Sequence, residues 1–224
     1  MVDFRIGKHL LKPFNMDSKP LMQSYLQHVN SNLSDYSFAA NFMWLANSSG
    51  FYAIVNDTFC LFILNGSELS MLLPPLGELE KINDAMIECF EIMNTNNSSK
   101  YLSRIDYADE YYMQNFIHDV EDLEIFEVLE NYLVEKKLAD YIYNIDDLIE
   151  LRGNSYHTKR TEINKFKKVY PNYSVEVLDP AVHTDEIIEM LNRWVINHMK
   201  YMPKVKLSYR PTKLLPKYSI YQKN

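Results

Sequence analysis

The sequence runs to 224 residues, 47% of them hydrophobic, with a formal net charge of -7. That is enough chain to bury a sizeable core, and the acidic balance excludes a generic duplex binder, which carries a basic surplus. Two cysteines, Cys60 and Cys89, exclude a disulfide framework; neither has Cys or His neighbours at zinc-site spacing, so both are expected as buried thiols.

At the N-terminus, Met1-Val-Asp-Phe-Arg-Ile has no charged start followed by an apolar run of signal-peptide length, and no later run approaches the ~18 apolar residues of a membrane span. A cytoplasmic protein is expected. Asp17 and Ser18 are N-cap residue types, Pro20 suits a first turn, and Leu21, Met22, Tyr25, Leu26 and Val29 recur at helical spacing, which predicts a helix over residues 18–29. Phe51 to Val55 and Thr58 to Leu64 are β-branched and aromatic runs joined by Asn56-Asp57, a pair that tolerates positive φ in a tight hairpin. Glu68 to Leu73 follows Asn65-Gly66 as a third strand, and the meander ends at Pro74-Pro75.

Leu79, Ile82, Met86, Ile87, Phe90 and Met93 give a second amphipathic helix, closed by the polar stretch Asn94 to Ser99. A short strand is expected at Leu102 to Ile105 and a short helix at Asp109 to Ile117. Ile125 to Leu133 fits a helical period and a strand composition equally well. Tyr141 to Tyr143 reads as a strand end, Asp146 to Leu151 as a helical turn or two, and Gly153 as a stop. Farther on, Tyr173, Val175 and Val177 alternate as in a strand. Thr184 can cap a helix whose first turn holds Asp185 and Glu186, at the positive end of the dipole, and whose apolar side carries Ile187, Ile188, Leu191, Trp194 and Val195.

Charge is unevenly spread. From Met199 onward there are seven basic residues and no Asp or Glu, against 16 basic and 30 acidic residues before it, so residues 199–224 are expected as an irregular basic tail. The most distinctive surface chemistry lies between Tyr156 and Lys168. On a helix, Tyr156, Ile163, Phe166 and Tyr170 share one arc, expected to pack, while His157, Arg160, Lys165, Lys167 and Lys168 spread over the other. Lys159 projects into the apolar arc beside His157 and Arg160, where an ammonium needs a snorkelling stem or an anion. His157, Lys159, Arg160, Lys167 and Lys168 are therefore the candidate binding residues for a phosphate or carboxylate. Asp140, Asp146, Asp147 and Glu150 lie just before them, either as salt-bridge partners or as acid/base groups. The histidines show no metal spacing, no Ser or Cys sits in a nucleophile elbow, and five glycines leave no phosphate-cradling loop. Leu151-Arg-Gly-Asn is only a faint echo of an acetyl-coenzyme A loop. No metal and no cofactor is expected, and the catalytic residues are not readable.

The run from Asp140 through Asp146-Asp-Leu-Ile-Glu-Leu-Arg-Gly-Asn-Ser-Tyr-His-Thr-Lys-Arg160 to Phe166, with Tyr170-Pro-Asn-Tyr173, resembles the signature of an uncharacterised bacterial family related to the C-terminal domain of phosphatidylglycerol lysyltransferases. Ser34-Asp-Tyr-Ser-Phe-Ala39, Phe42, Trp44 and Leu73-Pro-Pro-Leu-Gly77 look like its N-terminal landmarks. His157, Lys159 and Arg160 match the basic motif, whereas Thr158, Thr161 and Glu162 depart from it. The resemblance implies an α+β fold in which a mixed sheet flanked by helices, similar to the GCN5-related N-acyltransferases, is followed by a second copy. Here that copy looks incomplete, with residues 1–171 as the first domain, 172–198 as the opening strand and helix of the second, and 199–224 as a tail that is either left by truncation or a native basic tail. The implied activity is transfer of an aminoacyl group from aminoacyl-tRNA to a phospholipid, partial or lost in this chain. The implied partners are aminoacyl-tRNA and anionic phospholipid, with a peripheral position at the membrane surface. A different class of reading remains open: a non-catalytic module that binds anionic lipid or RNA through the basic helix. In either case the exposed side of helix 184–198 is expected to favour self-association.

Overall fold

The computed structural model describes residues 2–45, 49–116, 126–128, 132–200 and 213–222. The chain divides into two compact units, one made of Met1–Ile142 with Lys213–Asn224 and the other of Tyr143–Thr212.

The first unit is built on a nine-stranded mixed sheet, so the α+β class and the helix-flanked sheet are as expected. Its strands are β1 (Phe4–Ile6), β2 (His9–Pro13), β3 (Gly50–Val55), β4 (Thr58–Asn65), β5 (Glu68–Met71), β6 (Arg104–Ala108), β7 (Phe126–Val128), β8 (Tyr132–Ile142) and β9 (Lys213–Gln222). They lie side by side in the order β1-β2-β3-β4-β5-β6-β9-β8-β7. Its helices are α1 (Lys19–Leu26), α2 (Phe38–Leu45), α3 (Leu79–Asn96) and α4 (Glu110–Phe116).

The β3–β4 hairpin forms where the sequence places it, and Asn56 and Asp57 adopt φ of 46° and 56°, the paired left-handed conformation of a two-residue turn. Side-chain alternation then sends β4 in two directions. Phe59 and Leu61 enter one core with residues of α1 and α2, and Cys60 and Phe62 enter the other with α3 and α4. Both cysteines are buried free thiols. In α3 the buried Ile82, Met86, Cys89, Phe90 and Met93 keep the spacing that predicted the helix; it runs to Asn96, three residues into the expected loop. The cap of α1 differs from expectation. Asn15 caps a 3-10 turn at Met16–Ser18, and Ser18 leads into α1 with no side-chain cap of its own, while Pro20 occupies the first turn.

Pairing is antiparallel throughout, except for the parallel pair β5–β6, whose register contact is Met71 with Ile105. Before that contact a side chain fills the gap between the strands. Asn97 accepts from the Leu69 amide at 2.7 Å and donates to the Leu69 carbonyl at 2.8 Å and to Ser103 Oγ at 3.1 Å. Residues 100–102 form a 3-10 turn capped by Ser99, so the strand expected at 102–105 starts two residues later. Of the ambiguous stretch 125–133, residues 126–128 and 132–133 are strand; 125 and 129–131 lie outside the described residues, as does Ile117.

The tail departs most from expectation. Residues 201–212 lie outside the described residues, but 213–222 are β9, a strand between β6 and β8 rather than irregular chain.

The second unit contains α5 (Ile145–Glu150), α6 (His157–Val169) and α7 (Pro180–Lys200). The strand expected at 173–178 does not form. Val175 and Val177 are 89% and 92% exposed; no strand lies beside them among the described residues, and an alternating segment with no neighbouring strand has nothing to accept its backbone bonds. Nor does α7 start at Thr184. Asp179 Oδ1 accepts from the Ala181 amide at 2.9 Å, Pro180 opens the helix, and the Thr184 hydroxyl bonds back to the Pro180 carbonyl inside it. The arc of α6 expected to pack is also exposed at Ile163, Phe166 and Tyr170, and only Tyr156 is buried.

Candidate functional site

The basic helix is assembled by its approach. Asn144 caps α5 by accepting from the Asp146 amide at 2.8 Å, and Leu151 ends that helix in a left-handed conformation, φ 51°. Gly153 (φ 85°) and a 3-10 turn at Asn154–Tyr156 then feed directly into α6. Arg160 reaches back over this loop and donates to the carbonyls of Leu151 and Gly153, the latter at 2.8 Å. Lys159 pairs with Glu162 at 3.0 Å, one turn along. His157, Lys167 and Lys168 are exposed, and the two lysines occupy the last turn, where the helix dipole favours cations.

The five candidate residues thus share a helix without converging. His157 and Lys168 lie on nearly the same side but eleven residues apart, about 16 Å along the axis. Arg160 holds the loop, and Lys159 shares its charge with an acid that the sequence placed in the motif. Of the preceding acids, Glu150 meets Arg152 at 2.9 Å and Asp140 faces Lys217.

A second polar cluster, which sequence reasoning missed, lies in the first unit around Lys217 of β9. Its ammonium sits 2.5 Å from Asp35 Oδ2 and 2.7 Å from Asp140 Oδ1, and 4.9 Å from the centroid of the Tyr107 ring. The Ser34 amide and hydroxyl both donate to Asp140 Oδ2, at 3.0 and 2.8 Å. Burial opposes the charge on Asp140, but Lys217 and Ser34 outweigh it and hold the carboxyl below its ordinary range. Burial likewise opposes the charge on Lys217, and Asp140 and Asp35 outweigh it, so its pKa is raised.

Beside this cluster β6 bulges between Ile105 and Ala108, and Tyr107 takes φ 50°. The Tyr107 carbonyl accepts from the Tyr36 hydroxyl at 3.1 Å. Asp109 follows at the start of α4, 7% exposed, and accepts from the Tyr112 amide at 2.7 Å. Burial pushes its carboxyl up despite bonds from Ser31 and Tyr112. Tyr36, Asp109 and Tyr112 line, with His28, Pro74 and Gly77, a cavity of about 20 Å³ at the carboxyl ends of the parallel strands β5 and β6. That is room for one oxygen-sized group. The traceable signals for this site were the Ser34-Asp-Tyr and Leu73-Pro-Pro-Leu-Gly landmarks; Lys217 stood within a run of lysines read as tail.

Among the described residues no group of three or more His, Cys, Asp or Glu is placed to hold a metal ion, and no helix is long and apolar enough to cross a membrane.

Comparison with known proteins bears on the whole architecture. A crystal structure of a conserved protein of unknown function from Bacteroides thetaiotaomicron VPI-5482 superimposes with a TM-score of 0.71 at 13% identity, covering 95% of this chain and 99% of that one. At that identity the likeness concerns the fold alone. No curated protein matches significantly. Residues 26–202 match the family described as phosphatidylglycerol lysyltransferase, C-terminal. This stretch includes the Ser34 landmark, the strands β3 to β6, the cavity residues and the whole of α6, and on that match the chain belongs to the phosphatidylglycerol lysyltransferase C-terminal domain family.

Proposed function

We propose that the chain is an acyltransferase-like protein that moves an aminoacyl group from aminoacyl-tRNA to the hydroxyl of an anionic phospholipid headgroup. The observation that carries this reading is Asp109, a buried carboxyl with a raised pKa, facing a cavity at the carboxyl ends of the parallel pair β5–β6. Perturbed acids in clefts are functional candidates, and membership of the phosphatidylglycerol lysyltransferase C-terminal domain family favours this reaction class. A single parallel pair in an otherwise antiparallel sheet, with β9 between β6 and β8, supports the likeness to GCN5-related N-acyltransferases. Asp109 takes the proton of the acceptor hydroxyl, the freed oxygen bonds to the ester carbonyl carbon, and the bond to the tRNA ribose breaks as the ribose oxygen gains a proton.

The test is transfer of labelled lysine from lysyl-tRNA to dispersed short-chain phosphatidylglycerol. Wild-type protein is expected to form lysyl-lipid, and Asp109→Asn to slow it by roughly 10²- to 10⁴-fold with an unchanged circular dichroism spectrum. No lysyl-lipid from the wild type would overturn the reading.

One observation favours a second reading, a binding module. The exposed cations lie in the second unit and Asp109 in the first, so anion binding through α6 needs no catalytic group. Binding of RNA or phosphatidylglycerol that weakens with salt, and further in His157→Ala/Lys167→Ala/Lys168→Ala, supports it; salt-insensitive binding removes it.

A further inference from the structure

We infer that the C-terminal half of α6 and the turn after it, residues 163–173, form an edge that seats the protein on an anionic lipid bilayer. This deepens the binding-module reading and rests on it. Phe166 lies 5.1 Å from Tyr170 and 5.4 Å from Tyr173, ring centroid to centroid, yet all three are exposed, as are Ile163 and Val169. Phe166, Val169, Tyr170 and Tyr173 border a shallow depression completed by Pro171 and Asn172. Water is a poor environment for such a group, and nothing in the second unit covers it among the described residues.

The charge around it names the occupant. The helix His157–Val169 carries Lys159, Arg160, Lys165, Lys167 and Lys168 against the single acid Glu162. Each residue turns the helix by about 100°, so with Phe166 facing downward Lys165 and Lys167 fall on its two flanks. A helix tipped onto its C-terminal end would bury Phe166, Val169 and Tyr170 and hold both ammonium groups at headgroup level, with the Lys159–Glu162 pair, on the same side one to two turns earlier, lifted toward water. Two copies meeting through this face would bring like charges together. RNA would satisfy the lysines but not Ile163 and Val169, and the rings already pack on one another rather than standing open for bases.

The full-length chain is to be sedimented with vesicles of phosphatidylcholine alone and of phosphatidylcholine mixed with phosphatidylglycerol, without tRNA, so that absent transfer chemistry cannot influence the result. It is expected to pellet with the anionic vesicles, less so as salt rises, and to stay in solution with the neutral ones. Lys165→Ala/Lys167→Ala should weaken partitioning roughly 25-fold at low salt, about fivefold for each lysine. Phe166→Ser/Tyr170→Ser should weaken it about tenfold or more, and Phe166→Leu/Tyr170→Leu should restore it, which a folding defect would not. Equal pelleting with neutral vesicles, or unchanged pelleting of the serine variant, overturns the docking edge. If the chain binds RNA and ignores vesicles, or if phosphatidylglycerol binding survives the serine change, docking falls while the binding-module reading stands. If RNA and lipid are both ignored, both readings fall.

Discussion

Lys217 has two carboxylates within 2.7 Å, and its side chain is 13% exposed. Removing one partner from a buried ionic cluster leaves uncompensated charge, which costs more than the pair itself contributes. Lys217→Met is therefore expected to lower stability by about 3 kcal/mol in urea unfolding, and adding Asp140→Asn to recover part of that loss. The pH dependence follows from the shifts. Asp140 has a lowered folded pKa, so its contribution is complete above the unfolded carboxylate value of about 3.9 and disappears as pH falls through the folded value. Lys217 has a raised folded pKa, so its contribution is complete below about 10.4 and disappears as pH rises past that. Asp109 has the opposite sign to Asp140. Its raised pKa means that it opposes folding as pH rises through its folded value. Asp109→Asn, whose amide oxygen can still accept from Tyr112, is expected to leave the urea midpoint at neutral pH unchanged or higher even as it slows transfer.

Among the elements, those with local causes were legible. The β3–β4 hairpin is specified by alternation and by Asn56-Asp57, and α3 by its period; both stand where the residues placed them. The strand expected at 173–178 had the right pattern but no partner strand among the described residues, and pattern alone cannot supply one. β9 was hidden for the reverse reason. Its Pro216 argues against an interior strand, but β6 pairs only with residues 218–221, and Pro216 falls at the irregularity where Lys137 meets Lys217 and Asp140 meets Leu215. The proline thus sits where the ladder is already interrupted. The candidate site was half legible: the motif residues were identified, but whether Arg160 met a ligand or its own loop depended on Leu151 turning left-handed. A leucine there is strained by roughly 1 kcal/mol. Leu151→Gly is expected to stabilise α5 by about that amount, measured as slower amide exchange at residues 148–151, without disturbing the carbonyl that Arg160 holds. Arg160→Ala should speed exchange through residues 151–156.

For the whole molecule, the second unit is an insertion between neighbouring strands, since Ile142 of β8 stands directly opposite Lys213 of β9. Replacing residues 143–212 with Asn-Gly would convert the junction to a two-residue hairpin. The product is expected to unfold in one cooperative transition with its β-sheet circular dichroism intact; a molten or insoluble product would show that the sheet depends on the insertion. The same connection governs how the chain matures. While a ribosome is still making residues 143–212, β6 and β8 have no partner between them, and their open edges invite pairing with other chains. Completion of the sheet by so late a strand, across so long a separation, makes this a slow folder by topology. Loss of residues 213–222 would remove an interior strand of the sheet rather than trim an edge.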